Sequence, residues 1–193
     1  RRSEKLEEAA ARIRETGRRA LAVQTDVRKP EQCKALMDRV ASELGGIDIL
    51  MNNAGGAHGH VSLAKMDLAK WDRDVQLNLS AAMYCSQAAL PHLRARKGCI
   101  VNISSLAGVN GTAGVGAYSA GKAGLQMFTR VASSEWGGYG IRVNCIACGM
   151  IATEAARDGW AKSGFDAAKI SKTAFGLGRY GEMDEAAQAI AFM

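Results

Sequence analysis

The sequence predicts an α/β fold built on a parallel sheet with helices over both faces. Short apolar runs of strand length alternate with helical periodicities along the whole chain. The connections between them are short, and neither of the two prolines marks a linker. Strand, helix and strand joined in this way leave few solutions besides right-handed parallel crossovers.

The elements follow in order. Leu6, Ala9, Ala10 and Ile13 keep helical spacing as far as Gly17, a helix stop, and residues 20–25 then read as a strand. A second helix starts at Pro30, a residue suited to a first turn, buries Cys33, Leu36, Met37 and Val40, and ends at Gly45-Gly46. The apolar strand 47–51 follows. Residues 67–94 read as one long helix with Leu77, Ala81, Tyr84, Cys85 and Ala88 on one side. A strand at 99–103, a helix at 116–136 and a strand at 141–146 come next. Residues 153–182 hold one or two short helices, and a last helix begins near Asp184. The whole is one domain, 1–193. In such sheets ligands bind at the carboxyl ends of the strands, so chemistry is expected in the loops after Thr25, Met51, Ile103 and Ile146.

Composition narrows the classes. With 48% hydrophobic and 23% charged residues the 193-residue chain has material for one core. It contains no apolar run of membrane-spanning length and opens on a charged helix, so a soluble, cytoplasmic protein is expected, with no membrane partner. The net charge of +6 would suit a polyanion, but the basic residues near the start are mixed with acids in Arg1-Arg2-Ser3-Glu4-Lys5-Leu6-Glu7-Glu8. No basic stripe with stacking aromatics accompanies them, so no nucleic-acid partner is expected. Five scattered cysteines within apolar segments point to free thiols.

Tyr118 and Lys122 stand four residues apart at the start of the helix that follows strand 99–103, on one face toward the carboxyl edge of the sheet. A free phenol titrates near ~10, and lowering that by about 3 units takes roughly 4 kcal/mol of phenolate stabilisation, which a nearby ammonium supplies. A tyrosine so tuned exchanges a proton near neutral pH. Three further signals surround the pair. Ser105 lies just beyond the strand, Asn52-Asn53-Ala54-Gly55 follows the previous strand, and Asn78 interrupts the long helix.

With Tyr118-Ser119-Ala120-Gly121-Lys122, the Ser104-Ser105 pair, Asn52-Asn53-Ala54-Gly55 and Ile141-Arg142-Val143-Asn144, the chain resembles the short-chain dehydrogenase/reductase family from end to end. The resemblance implies a Rossmann-type, doubly wound parallel sheet. It further implies hydride transfer between a nicotinamide dinucleotide and a carbonyl or secondary alcohol. In that frame Tyr118 is the general acid or base, Ser105 orients the substrate oxygen, Lys122 tunes Tyr118 and holds the nicotinamide ribose, and Asn78 serves a proton relay. Asp26 and Val27 would meet the adenine, and Asn53, Ala54 and Gly55 the adenosine side. Gly149, Ile151 and Thr153 would meet the nicotinamide end, with Arg1 and Arg2 placed to pair a 2′-phosphate. NADP is thereby favoured, with NAD as the alternative.

Against the family pattern, Cys148-Gly149 stands where Pro-Gly is usual, which frees a backbone N–H beside the nicotinamide. The family's opening strand, glycine-rich turn and pyrophosphate-holding helix have no counterpart, nor does its final strand. The sheet is therefore expected to be incomplete at both ends, with residues 20–25 lacking their usual neighbour.

Other patterns are read as decoys. Cys145-Ile146-Ala147-Cys148 has redox spacing but falls within a strand. Residues 116–122 match Gly-x-x-x-x-Gly-Lys, but Ala123 stands where a magnesium-binding hydroxyl is needed. Gly111, Gly114 and Gly116 are read as a loop over the site. His58 and His60 are read as rim residues, and no metal site is assigned.

Trp160, Phe165, Ile170 and Phe175 among Lys162, Lys169 and Lys172 mark 153–182 as the substrate-binding region. A 3-oxoacyl thioester, as used in fatty acid biosynthesis by 3-oxoacyl-carrier-protein reductases, is the leading substrate class. Sugars, steroids and small cyclic alcohols stay open, as does a catalytically idle cofactor-binding regulator. The helices at 67–94 and 116–136 resemble those through which family members dimerise, so a homo-oligomer, dimer or tetramer, is expected.

Overall fold

The computed structural model describes residues 3–163 and 166–193. Its sheet is open and wholly parallel, three strands in the order β1 (Ile49–Asn52), β2 (Cys99–Ser105) and β3 (Arg142–Cys148). The register sets Leu50 beside Ile100 and Ile100 beside Val143. That row faces one layer of helices, because alternate strand residues point to opposite sides.

The layer consists of α2 (Pro30–Leu44), α4 (Ala81–Arg96) and α6 (Gly116–Trp136). Cys33 and Met37 of α2, Cys85, Ala89 and Leu93 of α4 and Ala132 of α6 form the core with the strand row. Proline opens α2, and Gly45, at φ 93°, returns its N–H to Ala41 to close it. On the other face, α9 (Met183–Phe192), started by reciprocal bonds between Glu182 and Glu185, sits against β3. Helices thus cover both faces, as expected of the doubly wound class. Among the described residues no helix is long and apolar enough to cross a membrane.

Residues 20–25 are not in a strand, and, as expected, no strand pairs with them among the described residues. Preceding them, α1 (Ser3–Glu15) reaches this segment through Arg14, whose guanidinium donates to the Ala20 carbonyl. Ala10 is buried, while Leu6 and Ile13 of the same stripe stay exposed. A strand needs a neighbour's N–H and C=O groups, and β1 offers this segment no ladder.

The long helix expected at 67–94 runs without interruption over 68–96, but it is not α-helical throughout. Here α3 (Leu68–Val75), capped by Asp67 on Lys70 N, widens into a π turn at Gln76–Ser80 before α4. Asn78 causes the local competition. Its Nδ2 donates to the Asp74 carbonyl four residues back, at 2.9 Å.

Candidate active site

Ser105 ends β2, and Tyr118 and Lys122 occupy the first turns of α6, so sheet edge and helix start converge. A short helix, α5 (Ala107–Asn110), bridges them; the Ser105 hydroxyl accepts the Ala107 N–H at 3.1 Å. Lys122 is buried, and its Nζ donates to the Ile103 carbonyl at 2.6 Å and lies 5.8 Å from the centre of the Tyr118 ring. Burial pushes the Lys122 pKa below the usual lysine value, against the opposing pull of Cys145 and Cys148. The ammonium is therefore held where its positive charge is costly, and a developing phenolate on Tyr118 would relieve that cost.

Asn78 reaches the same place from the π turn. Its Oδ1 accepts the Gly56 N–H at 2.9 Å and its Nδ2 donates to the Gly56 carbonyl at 3.0 Å. Two glycines make the approach possible. A Cβ on Gly55 would fall 2.8 Å from Asn78 Oδ1 and 3.0 Å from Lys122 Nζ. A Cβ on Gly121 would fall 2.9 Å from the Asn78 Cβ. Helix α6 and the loop after β1 thus close on Asn78 from two sides.

One cavity of about 440 Å³ gathers most of the expected site. Ser105, Tyr118, Lys122, Asn53, Gly55, Gly149, Ile151 and Thr153 line it, with α9 supplying an apolar wall. These residues fit the nicotinamide half of a dinucleotide, since polar groups and small residues from three strand ends share one cleft. A neighbouring pocket of about 130 Å³ holds Val27, Ala54 and Asn78 and shares Met51 and Asn53 with the first. Asp26 lies apart, in a separate groove with Gln32 and Arg39. Its carboxylate accepts from Arg28 at 2.6 and 2.9 Å. Arg1 lies outside the described residues.

Some local bonds refine the expectations. The Ile151 carbonyl is taken by the Thr153 N–H at 2.9 Å, and the Thr153 hydroxyl accepts from Ala156 N in α7 (Glu154–Ser163). After α7 comes α8 (Ala167–Ala174), capped by Asp166. Cys148 pairs in register with Ser105, and burial raises its thiol pKa, with Lys122 acting against that rise. It stands as a neutral thiol at the rim. The Gly-x-x-x-x-Gly-Lys match falls within α6, so no loop precedes Lys122 to wrap a phosphate. Among the described residues no group of three His, Cys, Asp or Glu side chains could hold a metal.

The sequence reading missed a polar scaffold behind the site. The Ser104 hydroxyl donates to the Lys122 carbonyl at 2.9 Å and accepts from Gln126 at 3.0 Å. Buried Asn102 joins Asn52, at 2.8 Å, to Thr129, at 2.9 Å, across the sheet. The signal available was Asn and Ser at inward positions of an otherwise apolar strand.

An open parallel sheet with a tyrosine, lysine and serine in the cleft at its carboxyl edge defines a dinucleotide-dependent oxidoreductase. The model of the short chain dehydrogenase family matches residues 1–163, and the chain belongs to that family, whose members move a hydride between NAD(P) and a carbonyl or alcohol. Among its relatives is the cis-4-hydroxycyclohexanecarboxylate dehydrogenase of Sinomonas cyclohexanicum, 38% identical over 99% of this chain and 76% of that one. The 3-oxoacyl-[acyl-carrier-protein] reductase FabG of Staphylococcus aureus is 34% identical over 98% of this chain and 76% of that one. The solved structure of an NAD+-bound xylitol dehydrogenase matches with a TM-score of 0.91 at 27% identity, over 99% of this chain and 78% of that one.

Proposed function

We propose that Tyr118 donates the proton when a ketone is reduced and accepts it when the alcohol is oxidised. The observation that carries this is the shared cavity of Ser105, Tyr118 and Lys122. Ser105 orients the substrate oxygen, and the Lys122 charge favours the phenolate. Asn78, held by Gly56, supports the proton supply behind Lys122. A bound nicotinamide dinucleotide supplies or accepts the hydride. Asn53, Gly55, Tyr118, Lys122, Gly149, Ile151 and Thr153 would hold its nicotinamide side, and Asp26, Val27 and Ala54 its adenosine side. Arg1 favours NADP over NAD.

The substrate we propose is a 3-oxoacyl thioester, with 153–182 as its binding wall. Trp160 stacks on Tyr180 there at 4.5 Å, giving an apolar surface. A small cyclic hydroxy acid is the second reading, favoured by the 38% identity to a dehydrogenase of that substrate type. We further propose a cytoplasmic homo-oligomer, supported by exposed Met83 on α4 and Met127 and Val131 on α6. The chain spans about three quarters of the length of the two curated relatives named above.

The test uses the intact protein. NADPH and NADH oxidation is followed with an acetoacetyl thioester, a 4-oxocyclohexanecarboxylate and a sugar lactone. Turnover of the thioester with NADPH supports the first reading, and turnover of the cyclic acid alone supports the second. No turnover with any of them, alongside measurable cofactor binding, sinks both and favours the idle regulator.

A further inference from the structure

Asp74, in the last turn of α3, is 4% exposed, and its carboxylate has one side-chain partner among the described residues, His58 Nδ1 at 2.6 Å. A carboxylate withdrawn from water this far is held only by a good partner. His58 itself is 41% exposed and sits in the loop between β1 and the turn at Leu63–Lys65. The sequence treats it as a rim residue, and nothing in the reaction uses it.

The pair lies one helical turn from the other attachment of the same loop. Gly56 is held to Asn78 by reciprocal hydrogen bonds, and Asn78 is four residues after Asp74 on the same rod, bonded to its carbonyl. The far end of the loop is held separately, by the Val61 N–H on the Gly114 carbonyl, so without these two attachments the stretch 55–59 would be loose. Gly55, Gly56 and Gly59 fall within five residues, and Gly56 and Gly59 adopt φ of 150° and 85°. Ordering such a segment costs more conformational entropy than any other composition. Gly55 lies so near Lys122 and Asn78 that a Cβ would touch both, so a shift of this loop alters the surroundings of the ammonium.

We propose that His58 and Asp74 are a positioning pair, a buried carboxylate gripping an imidazole so that the Gly55–Gly56 turn stays closed between Asn78 and Lys122. The ring is oriented by the carboxylate through Nδ1, as in other acid-held imidazoles, but its task here is to hold a loop. His60 takes no part, since it packs beside Gly114 of the facing loop. The proposal rests on Tyr118 and Lys122 being the reacting pair. Because the loop supports the proton donor, its loosening is expected to fall on kcat rather than on KM.

The experiment compares intact wild type, His58→Ala, His58→Asn and Tyr118→Phe. Hydrogen exchange of the Gly56 amide is read by NMR, and kcat and KM are measured with the best ketone of the panel. The exposed His58 is substituted because loss of the buried Asp74 risks the fold. His58→Ala is expected to speed Gly56 exchange and lower kcat, each by about tenfold or more, with KM within about twofold. His58→Asn is expected to restore both, because its amide nitrogen stands where Nδ1 stood. Unchanged Gly56 exchange in His58→Ala overturns the pair, as does faster exchange with kcat intact. Turnover surviving in Tyr118→Phe overturns the reaction reading and with it the catalytic part of the proposal. The two failures are distinct, since Gly56 exchange reports the clamp without any substrate.

Discussion

The carboxyl edge of β2 and β3 and the segment through 20–26 are both expected binding regions, yet they are built differently. At the first, Lys122, Ser104, Asn102 and Asn78 are buried and each makes at least one hydrogen bond to a neighbouring element. At the second, no strand lies beside the backbone among the described residues, and Asp26 bonds its own neighbour Arg28. The difference teaches that a proton-transfer site is fixed by contacts that cross elements. A segment without a sheet neighbour takes its final form from whatever packs on it.

Tyr118→Phe offers the largest expected effect. It removes the proton donor without disturbing the buried lysine, so kcat should fall by about 10² to 10⁴ while cofactor affinity, titrated by fluorescence, falls by about tenfold or less. A retained rate would erase the contrast by showing that the well-built edge does no proton transfer. Amide exchange tests the contrast directly. In the 193-residue chain residues 21–25 lack ladder partners among the described residues whereas Ile100 and Val101 are central and buried, so the first group should exchange about 100-fold faster or more. Equal protection in the two groups would mean that 20–25 has a partner in solution.

Much of this was legible in the sequence because it depends on local pattern. The helix at Gly116–Trp136 and the strands behind it follow from periodicity, and Tyr118 with Lys122 follows from spacing. What was not legible depends on contacts between distant segments. The π turn arises where Asn78 bonds both Asp74 and Gly56, and no periodicity announces it. The grip of Asp74 on His58 joins residues whose proximity only the fold creates. At 20–25 no strand forms among the described residues, in keeping with the missing neighbour expected there.

Gly121→Ala sharpens the picture at smaller scale. The added methyl would fall 2.9 Å from the Asn78 Cβ, which is backbone-anchored and cannot swing away. A destabilisation of about 1–3 kcal/mol is expected by urea titration, with a drop in kcat as Asn78 is displaced. An unchanged midpoint would show that the helix and the π turn part without cost.

The smallest effect lies at the seam between the two regions, where Cys33 of α2 meets Cys85 of α4. Burial, and then the neighbouring Cys33, push the Cys85 thiol up to about 12 from an ordinary 9.0. In the unfolded chain that thiol ionises near the ordinary value, while in the folded chain it keeps its proton. Its contribution to stability is therefore complete below pH 9.0 and is lost as pH rises toward 12. The melting temperature should fall across that window. Replacing Cys85 with Ser removes this titration and should leave a shallower decline, even though the variant starts from a lower stability at neutral pH. If both proteins decline in parallel, α2 does not hold Cys85 away from water, and the 20–44 segment is no better anchored at its helix than at its unpaired strand.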